Sequence, residues 1–158
     1  WFDDQVLVAF SDSQYRSFTL EGQKLYVDSC VSNQDCDLYG IFDNDLHIGN
    51  ISILGLESVH RRAEISYLVG ERSYWGKGVG SFAVSMIVGL AATKYDLYKL
   101  FAGVAKGNVA SQKVLEKNGF TLEGQRRAHL YYNENFYDQL DYGLVLSERR
   151  NIVDVLAD

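Results

Sequence analysis

Three glycines at alternate positions, Gly76, Gly78 and Gly80, occupy the stretch SYWGKGVGSFAVSM just ahead of a run with apolar residues at helical spacing. A helix start offers unpaired backbone N–H groups and the positive end of the helix dipole, and glycine lets an anion come close to both. The stretch therefore reads as a cradle for phosphate. Two familiar glycine loops do not fit. A Walker loop needs G-x-x-x-x-G-K-[ST], whereas Lys77 is followed by Gly78. A dinucleotide fingerprint needs G-x-G-x-x-G and an acidic residue closing the next strand, but Ser81 holds the last loop position and the strand KLFAGVA runs into Lys106. A turn that only packs a strand against a helix is the competing reading.

The elements that must hold this loop follow from spacing. Residues 1–35 read as helical, with Tyr15, Phe18, Leu25 and Val27 among apolar positions three or four apart. LYGIF and LHIGNISILGL flank Asp43-Asn44-Asp45 and predict a hairpin, and RRAEISYLVG alternates as a third strand. After the glycines, Val79, Phe82, Ala83, Met86 and Leu90 repeat at helical spacing, and KLFAGVA follows as a buried strand. Asn108 caps a further helix ending at Asn118-Gly119. FTLEGQRRAHLYY and NFYDQLDYGLVL bracket Asn133-Glu134-Asn135 as closing antiparallel strands. The expected fold class is a mixed α/β sheet.

Composition bounds the function. The 158 residues, 47% apolar and without proline, supply one core and no linker. No apolar run reaches the eighteen or more residues of a membrane-spanning helix. The chain opens at Trp1 without the charged and apolar regions of a secretory signal, so the expected location is cytoplasmic. A formal charge of −6 argues against general phosphate-backbone binding, hence no nucleic acid and no membrane, and favours a cationic substrate. Cys30 and Cys36 match neither a zinc site nor a disulfide framework and read as reduced structural thiols.

Three stretches together resemble the GNAT acyltransferase superfamily, in particular its branch containing the ribosomal-protein N-terminal acetyltransferases. They are AEISYLVGERSYWGKGVGSFA, NVASQKVLEKNGFTLEG and FYDQLDYGLVL, with WFDDQV near the start extending the likeness. Trp75 stands where Gln or Arg commonly opens the loop, a replacement frequent in that branch. The resemblance implies one N-acetyltransferase domain over residues 1–158, its first strand lying ahead of Trp1. It also implies a sequential reaction of acetyl-CoA with an amine acceptor, no metal and a possible homodimer. Acceptors in contention are a protein N-terminus, a polyamine and an amino sugar; a non-catalytic acyl-CoA-binding module is the alternative.

The same resemblance assigns positions. Trp75, Gly76, Lys77, Gly78, Val79, Gly80 and Ser81 would hold the pyrophosphate, Leu68 and Val69 would hydrogen-bond the pantetheine arm, and Asn108 and Lys113 would support them. Glu64 would serve as base, sharing a strand face with Ser66 and Leu68, unless it pairs with Arg61 or Arg62. The tyrosine that many members carry as acid, seven residues after the motif asparagine, is here Leu115, so Ser111 takes that role. His60 and His129 are reserve bases, and Tyr131, Tyr132 and Tyr137 are candidates to line the acceptor pocket.

Overall fold

The structure is a computed structural model that describes residues 1–146. Strands β1 (Cys36–Asp43) and β2 (Leu46–Leu54) form the expected hairpin, turning at Asn44, whose φ of 51° suits asparagine. β3 (Arg62–Val69), β4 (Lys99–Ala105), β5 (Thr121–Tyr132) and β6 (Asn135–Val145) complete one six-stranded sheet in the order β1-β2-β3-β4-β6-β5. Every neighbouring pair is antiparallel except β3 with β4, as a helical crossover between them requires. β5 and β6 close through Asn133 and Glu134, at φ 48° and 61°.

The helices are α1 (Leu20–Ser32), α2 (Val79–Thr93) and α3 (Val109–Lys117). The core lies where α2 and α3 cover the sheet, around Ile53, Ala63, Val84, Ile87, Leu100 and Leu115. The expected stripe on α2 is displaced. Ala83, Val84, Ile87, Val88 and Ala91 are buried, while Phe82 and Met86 are 66% and 53% exposed. Almost every residue of α2 is apolar, so spacing alone could not select the inward face.

The amino-terminal expectation needs the larger correction. Residues 1–19 form turns and a single 3₁₀ turn, Asp12–Tyr15, and the helix starts only after Thr19, whose hydroxyl accepts the Gly22 N–H at 3.0 Å. The leading segment is fastened to the β5–β6 hairpin instead. Tyr15 Oη donates to the Tyr131 carbonyl at 2.6 Å, Tyr132 Oη to Asp12 at 3.0 Å, and Asn133 Nδ2 to the Ala9 carbonyl at 2.9 Å. Of the four apolar positions that suggested helices here, only Phe18 is partly buried, stacked on Phe2 at 4.1 Å, whereas Tyr15, Leu25 and Val27 are exposed. Cys30 and Cys36 are buried free thiols, and burial pushes Cys36 up to about 11.

Candidate functional site

The site begins where the sheet comes apart. β3 and β4 are in register only at Arg62–Lys99, Ala63–Leu100 and Glu64–Phe101, and β3 then runs on to Val69 without β4 beside it. The Gly70 N–H bonds the Ile48 carbonyl at 2.8 Å, which fixes the alternation along β3. Leu68 therefore turns its backbone groups toward Asn50 of β2, and Tyr67 and Val69 turn theirs into the opening. Of the two residues expected to offer backbone to an acyl arm, only Val69 has its backbone on the open side, and its carbonyl accepts the Trp75 indole N–H at 2.8 Å.

The glycine loop stands at the end of this opening. A 3₁₀ turn, Arg72–Tyr74, leads into Gly76 and Gly78, at φ 72° and 85°, where an added Cβ would meet nothing within 4 Å. Gly78 is the N-cap of α2 and supplies no capping side chain. The first intrahelical acceptor serves Phe82, whose N–H reaches the Gly78 carbonyl at 2.9 Å. The N–H groups of Val79, Gly80 and Ser81 are left pointing out of the helix start. Gly80 lets α2 close on its neighbours, since its missing Cβ would sit 3.6 Å from Val114 and 3.8 Å from Tyr67 and Val69. Ser81 is tied down: its carbonyl and hydroxyl both accept from Asn118 Nδ2 at 3.1 Å. Lys77 does not line the cleft; its ammonium stands 5.3 Å from the Tyr74 ring centre.

On the helix side of the opening, Asn108 caps α3 by accepting the Ser111 N–H at 3.1 Å, leaving its amide NH₂ as the group available to a ligand. Ser111 Oγ lies 2.6 Å from Tyr67 Oη. Burial pushes the Tyr67 phenol up to about 12, with the Ser111 bond opposing. Tyr67 was not anticipated, because alternation places it with Ala63 and Ile65, opposite Glu64. The available signal was a tyrosine on an otherwise apolar strand face, between Ile65 and Val69, whose buried hydroxyl must find a partner. Leu115, at the position where a tyrosine was sought, is fully buried core.

Glu64 lies across the sheet from Tyr67. Among the described residues no hydrogen bond or ion pair engages its carboxylate, because Arg61 pairs with Asp96 at 2.7 Å and Arg62 stacks over Phe101. Although one side is open to solvent, surrounding protein displaces water and raises the carboxyl above the usual range. Arg126 opposes the shift and Asp141 adds to it. Arg126 is itself held by Asp141 at 2.8 Å.

These parts border one cleft of about 1610 Å³, beyond the roughly 300–1,000 Å³ usual for a single small ligand. Glu64, Leu68, Val69, Trp75, Gly76 and Gly78 line it, together with Val79, Gly80, Ser81, Asn108, Ser111 and Lys113. The far wall comes from the amino-terminal segment and α1, including Phe10, Arg16, Phe18 and Tyr26, with His47 of β2. Phe10 reaches the cleft because Gly107 makes room, a Cβ there falling 2.8 Å from its ring. Tyr131, Tyr132 and Tyr137 do not line the cleft: Tyr131 and Tyr132 hold the leading segment, and Tyr137 packs edge-on against Phe10. His60 and His129 are exposed elsewhere. Glu64 is the one acidic side chain among the lining residues described, against Arg16, Lys113 and Lys117. No group of three or more metal-ligating side chains occurs among the described residues, and none of their helices is long and apolar enough to cross a membrane.

A helix start with free N–H groups thus stands beside a sheet opened between its two parallel strands. The chain matches the Acetyltransferase (GNAT) domain over residues 1–121 and belongs to that family. It is 34% identical over 120 residues to the Bacillus subtilis protein named "Putative ribosomal N-acetyltransferase YdaF", covering 73% of this chain but 64% of that protein, less than two thirds of its length. It is 24% identical over 138 residues to the spermidine N(1)-acetyltransferase of Escherichia coli, covering 86% of this chain and 67% of that one. The spermidine N-acetyltransferase of Vibrio cholerae, solved in complex with CoA and spermine, superimposes with a TM-score of 0.81 at 15% identity, over 92% of this chain and 86% of that one.

Proposed function

We propose that the protein transfers the acetyl group of acetyl-CoA to a primary amine by direct attack within a ternary complex. The observation that carries this reading is the open β3 edge ending at the glycine cradle. It would accept a long arm along the strand and a pyrophosphate at the helix start in one extended contact. Lys113, on the cleft wall, would face phosphate, and the free amide of Asn108 would hold the arm. Glu64, unpaired and with a raised carboxyl, would take the proton from the incoming ammonium. Ser111 would hydrogen-bond the departing sulfur.

The charge of the cleft speaks to the acceptor. The chain as a whole is acidic at −6, yet the lining residues carry three basic side chains and one acid. A polyamine presents several positive charges and needs several carboxylates, whereas a single amine on an apolar or neutral body matches the lone Glu64 beside Phe10, Phe18 and Tyr26. Two measurements test the reading. Calorimetry with CoA is expected to show binding, and absence of binding at millimolar CoA would remove the donor site. Thiol release is then followed over a panel holding peptide N-termini, amino sugars and spermidine, with turnover expected for a single-amine acceptor. Thermal stabilisation by CoA without turnover of any amine identifies a binding module instead.

A further inference from the structure

We propose that Tyr67 is a positioning residue for the transfer, donating its hydroxyl hydrogen to Ser111 Oγ so that the Ser111 hydrogen is directed into the cleft. This inference rests on the reading of Ser111 given above. Tyr67 Oη lies 2.6 Å from Ser111 Oγ, and the Ser111 carbonyl also accepts from the phenol over a longer 3.2 Å. That carbonyl belongs to the first turn of α3, where it faces the N–H four residues on, so the hydroxyl is the better acceptor for the phenol. Once Ser111 Oγ accepts from Tyr67, its own hydrogen must turn elsewhere, and Ser111 borders the cleft.

The pair also spans the opening. Tyr67 lies near the end of β3, past the three register pairs that join β3 to β4, and Ser111 lies on α3. Their bond thus sets the distance between the strand edge and the helix that face each other across the cleft. In the reaction the amine nitrogen bonds the acetyl carbon and the carbon–sulfur bond breaks. Glu64 takes one proton from the ammonium to free the amine, and the second nitrogen proton, released as the amide forms, passes through water to the sulfur, which leaves as thiolate stabilised by the Ser111 hydroxyl. Neither hydroxyl ends charged, which agrees with a phenol that burial holds neutral up to about 12. An oriented donor at a developing anion is worth far more than a freely rotating one.

The test is a double-mutant cycle on turnover with Y67F and S111A. Y67F keeps the ring that packs under Gly80, and its folding is checked by the CoA-induced rise in Tm. Y67F is expected to lower kcat about tenfold with KM for acetyl-CoA within about twofold. Y67F/S111A is expected to match S111A alone, because the phenol has nothing left to orient. If losses multiply in the double variant, Tyr67 does not act through Ser111; if Y67F retains wild-type kcat while S111A is slow, only this inference fails. Should S111A itself be silent, the reading of Ser111 fails and this inference with it. A second arm leaves the shape almost untouched: 3-fluorotyrosine placed at position 67 alone, a stronger donor, is expected to raise kcat about twofold. Unchanged kcat there overturns the proposal.

Discussion

The two walls of the cleft are made of different material. One is backbone: the open edge of β3, the helix starts of α2 and α3, and glycines held in place by buried ties such as Asn118, which is 4% exposed and donates to Ser81 and Val114. The other is side chains carried on turns and on α1, where Leu20, Leu25 and Val31 are 76%, 64% and 81% exposed. A ligand gripped by peptide groups is insensitive to side-chain identity along the strand. A ligand gripped by Phe10, Phe18 and Tyr26 depends on each of them. On the function proposed above, the comparison teaches that the acceptor could change on the second wall without disturbing the donor site on the first.

A side chain set on the backbone wall gives the strongest test of that division: Glu64→Gln keeps shape and removes the proposed base. It is expected to lower kcat by roughly 10² to 10⁴ while leaving CoA affinity unchanged. With the carboxyl raised by lost hydration, activity should fall on acidification at a pH above the usual carboxylate range, because the protonated form cannot accept the amine proton. That acidic limb should vanish in the variant, and its persistence would move the base elsewhere. Next in size, Gly78→Asp sets a carboxylate and a positive-φ strain at the helix start and is expected to weaken CoA binding about tenfold to a hundredfold by calorimetry. Unchanged affinity in a folded variant would place the pyrophosphate elsewhere.

The remaining two predictions compare the walls as structure. Asn118→Ala removes the tie between α2 and α3 and is expected to cost about 1–3 kcal/mol in denaturant unfolding. Leu25→Ser on α1, away from the cleft lining, is expected to shift stability by about 0.5 kcal/mol or less and to leave CoA binding alone. A large loss at Leu25 would mean that α1 is packed as firmly as the backbone wall.

This contrast also explains what could be read in advance. Gly76 and Gly78 need positive φ, Asn108 and Gly119 mark helix ends, and Asn44 and Asn133 mark turns, so local chemistry announced the backbone wall. The amino-terminal segment has few such marks beyond the cap at Thr19. Its shape is set by distant partners, Tyr131, Tyr132 and Asn133, more than a hundred residues along the chain. For the same reason spacing alone leaves the three hairpin tyrosines open between pocket lining and strand packing, and the structure gives them the second. Tyr67 escaped because its role needs α3 to be folded beside β3. Leu68 was misassigned because the direction of a peptide group depends on register with β2, which alternation of side chains does not encode.

The gap between β3 and β4 leaves the sheet as two unequal plates, β1-β2-β3 and β4-β6-β5, stitched by three register pairs at one end. Plates joined so sparsely need not open together. Amide hydrogens of Tyr67 and Val69, facing the gap, are expected to exchange with solvent far faster than those of Ile53 or Leu144, on the middle strands β2 and β6 of the two plates, by local rather than global opening. A molecule laid along the gap would act as a seventh strand. It would slow exchange at Tyr67 and Val69 most, and the two plates would then unfold as a single cooperative unit.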